Sequence, residues 1–485
     1  MTPDIFIHKL KEARYPKAPF SPNKEYPELS NLPYKVKVDP SNEIYESIRD
    51  ILINLGLDKE NINKPNWDPL GSMLGKGKKA LIKPNFVKGS HPLGTEGVLS
   101  MITHASLMRP IIDYLLIAGG KDTEIIIGDC PLQSSVWEEI IENSKTKDLI
   151  EFYKNNNIGI KLIDFRKEIS IFNEENVIVK RSKNSKRQET DYKVVDLGKD
   201  SSFSDVIKYH KLFSITDYDH NLIKHHNPEV NEYCIPNEVL EADLFINLPK
   251  LKTHKKAGLT CSMKNLIGIN GDKSWIPHHR KGTKLIGGDE FEKMKLSVFA
   301  RERIWSFLKS FTIGIWTATL LKKIFKIFMW RGKTYEEMSM DRSGDDYREG
   351  SWWGNDTIWR PIKDLNSILL YADKEGSLKD TPQRKCLSIV DAVLSGEGEG
   401  PMQQTPKKTG IVYGGINPLY VDLASAKIMG FNYKLMPSIS RSFIRDKYSL
   451  SDKKPADVSM DSNVAIEECM FTFKPSNGWK LLKEV

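Results

Sequence analysis

The sequence predicts an α/β fold: a mostly parallel sheet flanked by helices, with an irregular N-terminal segment and a helical insertion. Three observations carry that prediction. Short apolar runs such as KKALIKPNFV, TEIIIGDC and ADLFINLPK are only about five residues long at their core and rich in isoleucine and leucine, as strands buried on both faces are. Several of these runs alternate along the chain with stretches whose apolar residues recur at three- and four-residue steps, the helical period. Four runs end in polar residues (Lys83 and Asn85, Asp129, Asn247 and Lys250, Asp391), at the strand ends where α/β sheets gather ligands.

The elements follow in order. Residues 1–75 are proline-rich (Pro16, Pro19, Pro22, Pro27, Pro33, Pro40) and read as irregular, with one helix over EIYESIRDILINLGL closed by Gly56. Residues 76–289 hold the first part of the α/β core: strand KKALIKPNFV, helix LMRPIIDYLLIAGG, then strands TEIIIGDC, IGIKLID, NVIVK and ADLFINLPK. Within it, 165–205 is rich in Lys, Asn, Ser and Glu and reads as a charged surface excursion. Residues 346–485 complete the core with strands KCLSIVDAV and KTGIVYGG and helix YVDLASAKIMGF.

Residues 290–345 form the insertion. Lys309, Thr312, Thr319, Lys322, Lys323 and Lys326 recur on one side, opposite Phe307, Phe311, Ile313, Leu321, Ile324, Phe325 and Phe328, with Trp305, Trp316 and Trp330 alongside. Its longest apolar run, FTIGIWTATLL, has 11 residues, too short for the roughly 20 that span a bilayer. Such a basic amphipathic helix can lie in a membrane surface through residues 300–331, pack on the core or on a second copy of the chain, or act as a lid.

Composition narrows the function classes. A hydrophobic fraction of 39% excludes wholesale disorder, and 485 residues allow two or three domains at roughly 150 residues each. A net charge of +8 is small for a dedicated nucleic-acid binder, so no nucleic-acid partner is expected. Cys130, Cys234, Cys261, Cys386 and Cys469 stand far apart with no CxxC pair. No disulfide framework, zinc ribbon or iron–sulfur cluster is therefore expected. The acid-containing start lacks the apolar core of a secretory signal, which points to the cytoplasm, with the inner face of the membrane as a peripheral location.

The densest chemical signal is DLFINLPKLKTHKKAGLTCSMKNLIGINGDKSWIPHHRK, residues 243–281. Cations interleaved with Asn, Gly and Pro after a strand suit an oxyanion, a phosphate or carboxylate. Lys250, Lys252, Lys255, Lys264, Asn265 and His279 are its expected anion-binding residues, with Lys83 and Asn85 on the opposite wall. His104 and His254 are candidate proton carriers. Adjacent residues of an extended chain point apart, so His278 and His279 are not both expected in one site. In GEGEGPM, Glu397 and Glu399 sit between glycines that permit close approach to the backbone. Glu399 is thus a third catalytic candidate, and Asp129 and Glu397 are candidate ligands for a divalent metal.

These residues also carry a resemblance. IKPNFV, THASLMRPIIDYLLIAGG, the GD of IIIGDC, INLPKLKTH, MKNLIGINGDK with its following HHR, and DAVLSGEGEGPM followed by GGINPLYVDLASAKIMG resemble the domain-of-unknown-function 362 family, from about residue 79 to about 435. The resemblance implies an α/β fold with a site more than it implies an activity. Members often carry an appended ferredoxin-like module, whose clustered cysteines have no counterpart here. GSWWGNDTIWRPIKDLNSILLYADKEG resembles members found alongside polysaccharide-biosynthesis enzymes. A looser similarity, in architecture alone, is to nickel-pincer lactate racemases, from which no residue is carried over.

Two functional readings follow. In the first, the chain is an enzyme acting on an anionic small molecule, such as a lipid-linked sugar, with or without a metal, by epimerisation, transfer or hydrolysis. In the alternative it is a non-catalytic binding or scaffold protein at a membrane surface. An oligomer is compatible with either.

Overall fold

The computed structural model describes residues 2–75, 78–172, 178–215, 222–293 and 349–482, together with Ile304, Trp316, Thr317, Thr319, Leu320 and Leu321. Ten strands share one sheet: β1 (Ile5–Lys9), β2 (Lys79–Pro84), β3 (Glu124–Asp129), β4 (Ile160–Asp164), β5 (Leu244–Leu248), β6 (Lys250–His254), β7 (Gly258–Thr260), β8 (Lys385–Glu399), β9 (Gln403–Gly415) and β10 (Met460–Ser462). Their order is β10-β1-β9-β8-β5-β2-β3-β4, with β6 pairing to β8 and β7 beside it. The run from β4 to β8 is parallel, whereas β9 joins β8 antiparallel.

Alternate residues of the central strands enter two different cores. Ala80 and Ile82, Ile125 and Ile127, and Leu244 and Ile246 face one. Leu81, Ile126 and Phe245 face the other. The first core is closed by helices α1 (Glu43–Asn54) and α2 (Met108–Gly119), through Ile48, Ile51, Ile111 and Leu115. The second is closed by α4 (Trp359–Tyr371) and α5 (Pro418–Ile428), through Ile362, Leu365, Leu419 and Leu423; the short α3 (Ser262–Asn265) adds Met263. Each fully buried isoleucine contributes roughly 1.5–3 kcal/mol, which is why these runs lack the polar alternation of a one-sided sheet.

The chain order creates a crevice. From β2 the strands run outward to β3 and β4, and then β5 returns to pair with the other side of β2, Ile246 opposite Ile82 and Leu248 opposite Pro84. Such a reversal opens a gap at the carboxyl ends of the two strands, the usual ligand position in open α/β sheets.

Three local readings change. The N-terminal segment is not wholly irregular, because Ile5–Lys9 pairs antiparallel with β9. A five-residue apolar run has no periodicity to mark it. The excursion at 165–205 contributes to two antiparallel ribbons, Glu168–Phe172 with Ile178–Lys183 and Tyr192–Asp196 with Glu232–Pro236, so NVIVK is not a strand of the main sheet. KCLSIVDAV and KTGIVYGG extend into long strands, and β8 carries GEGE, Gly396–Glu399, at its end. The amphipathic helix expected over 300–331 lies, but for six residues, outside the described residues. Among the described residues no helix is long and apolar enough to cross a membrane. All five cysteines are buried and unbonded.

Candidate functional site

At the crevice the chain leaves a cavity of about 260 Å³. Among the described residues its lining holds Lys83, Lys252, Lys255, Lys256, Lys264, Lys273, His254 and His278, against the carboxylates Asp129 and Glu349 alone. Phe86, Val87, Leu132, Ile215, Ile267 and Met402 supply apolar wall. Lys83 and Asp129 come from the ends of β2 and β3, Lys252 and His254 from β6, and Lys264 and Asn265 from α3.

The floor is one hydrogen-bonded network. Lys83 Nζ donates to Asp129 Oδ1 (2.6 Å), to Asn265 Oδ1 (3.2 Å) and to the Pro84 carbonyl (2.9 Å). Asp129 also accepts from the backbone N–H of Phe86 (2.6 Å) and of Cys130 (2.7 Å). Lys252 Nζ donates to Asn85 Oδ1 (2.6 Å) and to the Met101 carbonyl, and Asn85 Nδ2 donates to Asn265 Oδ1 (2.9 Å). Asn265 Nδ2 in turn donates to Asn247 Oδ1 (2.7 Å). Lys83 and Asn85 therefore share a floor with Lys252 rather than forming an opposite wall. Burial pushes the Asp129 carboxyl up and the Lys83 ammonium down, while their mutual attraction and the two backbone donors hold the charged pair. Gly268 closes over it: a Cβ there would stand 2.1 Å from Asp129 Oδ1 and 2.6 Å from Lys83 Nζ, so only glycine fits.

Above the floor the cations are less compensated. Lys273 Nζ donates to the Ile267 carbonyl (3.1 Å), and Lys256 Nζ lies 3.8 Å from Glu349. Burial, then Lys273, Lys256 and Lys83, lower the pKa of Lys264 to about 7. The two cavity histidines are held neutral well below the usual imidazole range by burial and by neighbouring cations. His254 Nδ1 accepts from the backbone N–H of Lys256 (3.1 Å) and Ala257 (3.2 Å), which leaves its proton on Nε2. His278 Nδ1 faces the Ile276 carbonyl at 2.8 Å and must donate to it, which leaves Nε2 as a lone pair. One ring offers a donor and the other an acceptor.

Of the residues expected from sequence, Lys83, Asn85, Asp129, Lys252, His254, Lys255, Lys264 and Asn265 line this cavity. Lys250, His104, His279, Glu397 and Glu399 do not. Alternation alone would set Lys250 beside Lys252, but the pairing of β6 with β8 shifts register between them. Lys250 instead forms a fully buried ion pair with Asp391 (3.0 Å) and donates to Tyr15 OH (2.7 Å). His104 stacks on Tyr15 at 4.2 Å, and its Nδ1 accepts from the Ser106 N–H (3.2 Å) at the head of a short 3-10 turn. His278, not His279, reaches the cavity, because His279 is buried in a two-residue strand paired with Ser214.

Glu397 and Glu399 belong to strand β8, not to an open loop. Glu397 accepts from the Lys474 N–H (3.0 Å) and pairs with Lys407 (3.1 Å), while Glu399 accepts from the Asn477 N–H (2.6 Å). The approach that the glycines permit is by the protein itself: a Cβ on Gly400 would meet the Thr253 carbonyl oxygen at 2.0 Å. Glu399→Ala is expected to loosen the C-terminal segment and lower stability by about 1–3 kcal/mol, read from urea midpoints. Asp129 and Glu397 are thus engaged in separate networks, and among the described residues no three His, Cys, Asp or Glu side chains gather as a metal-holding group. Lys256, Lys273 and His278 complete the lining from within the same cationic stretch. Their only signal in the sequence is the density of that stretch.

No curated protein and no solved structure matches the chain. Residues 196–427 match the family model described as Domain of unknown function (DUF362). The matched segment runs through β5–β9 and most of α5, so it contains every cavity residue from Lys252 to Met402, while Lys83 and Asp129 precede it. This match lies over the cationic half of the site and supports a place for the chain in the DUF362 family.

Proposed function

We propose that the chain is an enzyme that binds a phosphate- or carboxylate-bearing small molecule in the lysine-lined cavity. The observation that carries this reading is the charge imbalance: six lysines against two carboxylates, one of them already paired to Lys83, at the strand reversal where α/β sheets hold ligands. An anion there relieves repulsion among Lys256, Lys264 and Lys273 that no carboxylate among the described residues relieves fully. The apolar wall from Phe86 to Met402 suits the uncharged remainder of the substrate, for which a lipid-linked sugar of cell-surface polysaccharide biosynthesis is the class favoured by the resemblance of residues 350–376. His254 Nε2–H and His278 Nε2 provide a donor and an acceptor for moving a proton on the bound molecule.

Calorimetric titration with inorganic phosphate and pyrophosphate tests the reading. Binding should be salt-sensitive, and Lys273→Ala or Lys256→Ala should weaken it about 10-fold or more, the scale of a lost charge-assisted hydrogen bond. Folded variants that bind as the parent does, or a parent that binds neither anion, would remove the lysines from the proposed role.

A further inference from the structure

Lys264 stands apart from its neighbours in the cavity. Lys83, Lys252, Lys256 and Lys273 each have a carboxylate, amide or carbonyl partner. The side chain of Lys264 has no hydrogen-bond or ion-pair partner among the described residues, and neither has that of Lys255. The Lys264 amine is set apart by its surroundings: burial acts on it first, and the charges that add to that effect, Lys273, Lys256 and Lys83, are all cations. An ammonium ion in that setting sheds its proton near neutral pH and presents a lone pair to the cavity. His278, which lines the same cavity and lies within the field of both Lys256 and Lys264, keeps an unprotonated Nε2.

We propose that Lys264 is a nucleophile that forms an imine with a carbonyl compound whose anionic group is held by the surrounding lysines. This rests on the anion-binding reading above and names the substrate class as an anionic aldehyde or ketone. In the step, the lone pair of Lys264 Nζ forms the C–N bond as the C=O π pair moves to oxygen. That oxygen takes one proton from the nitrogen, relayed through His278 Nε2, and a second from solvent. It then leaves as water, and the product is a protonated imine. His254 Nε2–H is available to hydrogen-bond the oxygen while it carries negative charge. The neighbouring cations that free the amine also bind the substrate's anion, so one arrangement serves both purposes.

Borohydride trapping on the full chain tests this, with pyruvate and glyceraldehyde 3-phosphate as carboxylate- and phosphate-bearing probes and peptide mass spectrometry to map the adduct. The expected result is a reduced adduct at Lys264 at least 10-fold more abundant than at any other lysine, forming faster as pH rises from 5 to 8. Phosphate should compete with it, and it should be lost in Lys264→Arg and Lys264→Met. Labelling of the unmodified protein does not depend on how the variants fold. Adducts at Lys255, or scattered over surface lysines, or absent while phosphate still binds, overturn the imine and leave the anion site standing. A chain that neither traps a probe nor binds phosphate overturns both.

Discussion

Asp129→Ala is expected to destabilise the protein by about 3–5 kcal/mol, the cost of leaving a buried charge without its partner. Lys83 and Asp129 are both fully buried and 2.6 Å apart, at the ends of neighbouring strands β2 and β3. Removing the carboxylate strands the Lys83 ammonium and also the N–H groups of Phe86 and Cys130, which it accepts from. Against a total stability of about 5–15 kcal/mol, that loss is a large fraction. Two measurements separate the charge from the backbone donors. Asp129→Ala/Lys83→Met should recover part of the stability in urea unfolding, because the charge is gone while the two donors remain unsatisfied. The single variant should also regain stability as pH rises toward the free lysine pKa, since the unpaired Lys83 can then fold neutral. A loss below about 1 kcal/mol in the single variant would mean that the pair does not hold the floor together.

Acid should weaken the fold through His104. Burial, then Lys250 and Lys145, lower its pKa from the ordinary 6.5 to about 3. The unfolded chain therefore binds a proton on this residue below about pH 6.5, whereas the folded chain does not until near pH 3. Stability is thus lost as pH falls through this window, by about 2 kcal/mol between pH 7 and pH 5 from this residue. Protonation would also remove the acceptor that Nδ1 offers to the Ser106 N–H and place a cation against the buried Lys250. His104→Asn keeps a side chain that can cap the turn but does not titrate. Its stability difference between pH 7 and pH 5 should be smaller than the parent's by about 2 kcal/mol in paired urea titrations. Equal differences in the two proteins would show that His104 takes up its proton in the folded state.

Much of the architecture was legible because it rests on local pattern. Runs such as ALIKP and EIIIGD could be read as strands buried on both faces, and their polar ends could be placed at the ligand edge of a parallel sheet. Lys83, Asp129 and Asn247 do stand there, hydrogen-bonded directly or through Asn265. The stretch from Lys250 to Arg280 could be read as cationic beyond the needs of an ordinary surface, and it supplies five of the six lysines that line the cavity.

The misplaced residues share one cause. Asp391 looked like the end of strand KCLSIVDAV, but the strand continues to Glu399, so Asp391 sits mid-strand against Lys250 and Tyr15. Glu397 and Glu399 looked like an open loop because the partners that occupy them, Lys474 and Asn477, are more than 70 residues away in sequence. His104 looked available until Tyr15 and Phe20, from the N-terminal segment, packed on its ring. A side chain's type and local spacing are properties of the chain, and they determined by themselves the layers, the ends of β2, β3 and β5 and the cationic character of this segment. Which side chains turn into the cavity depends on a register shift in β6 and on partners brought from far along the chain. The tertiary structure alone decided that, because a buried hydrogen bond or ion pair constrains both ends of a contact while a local pattern describes only one.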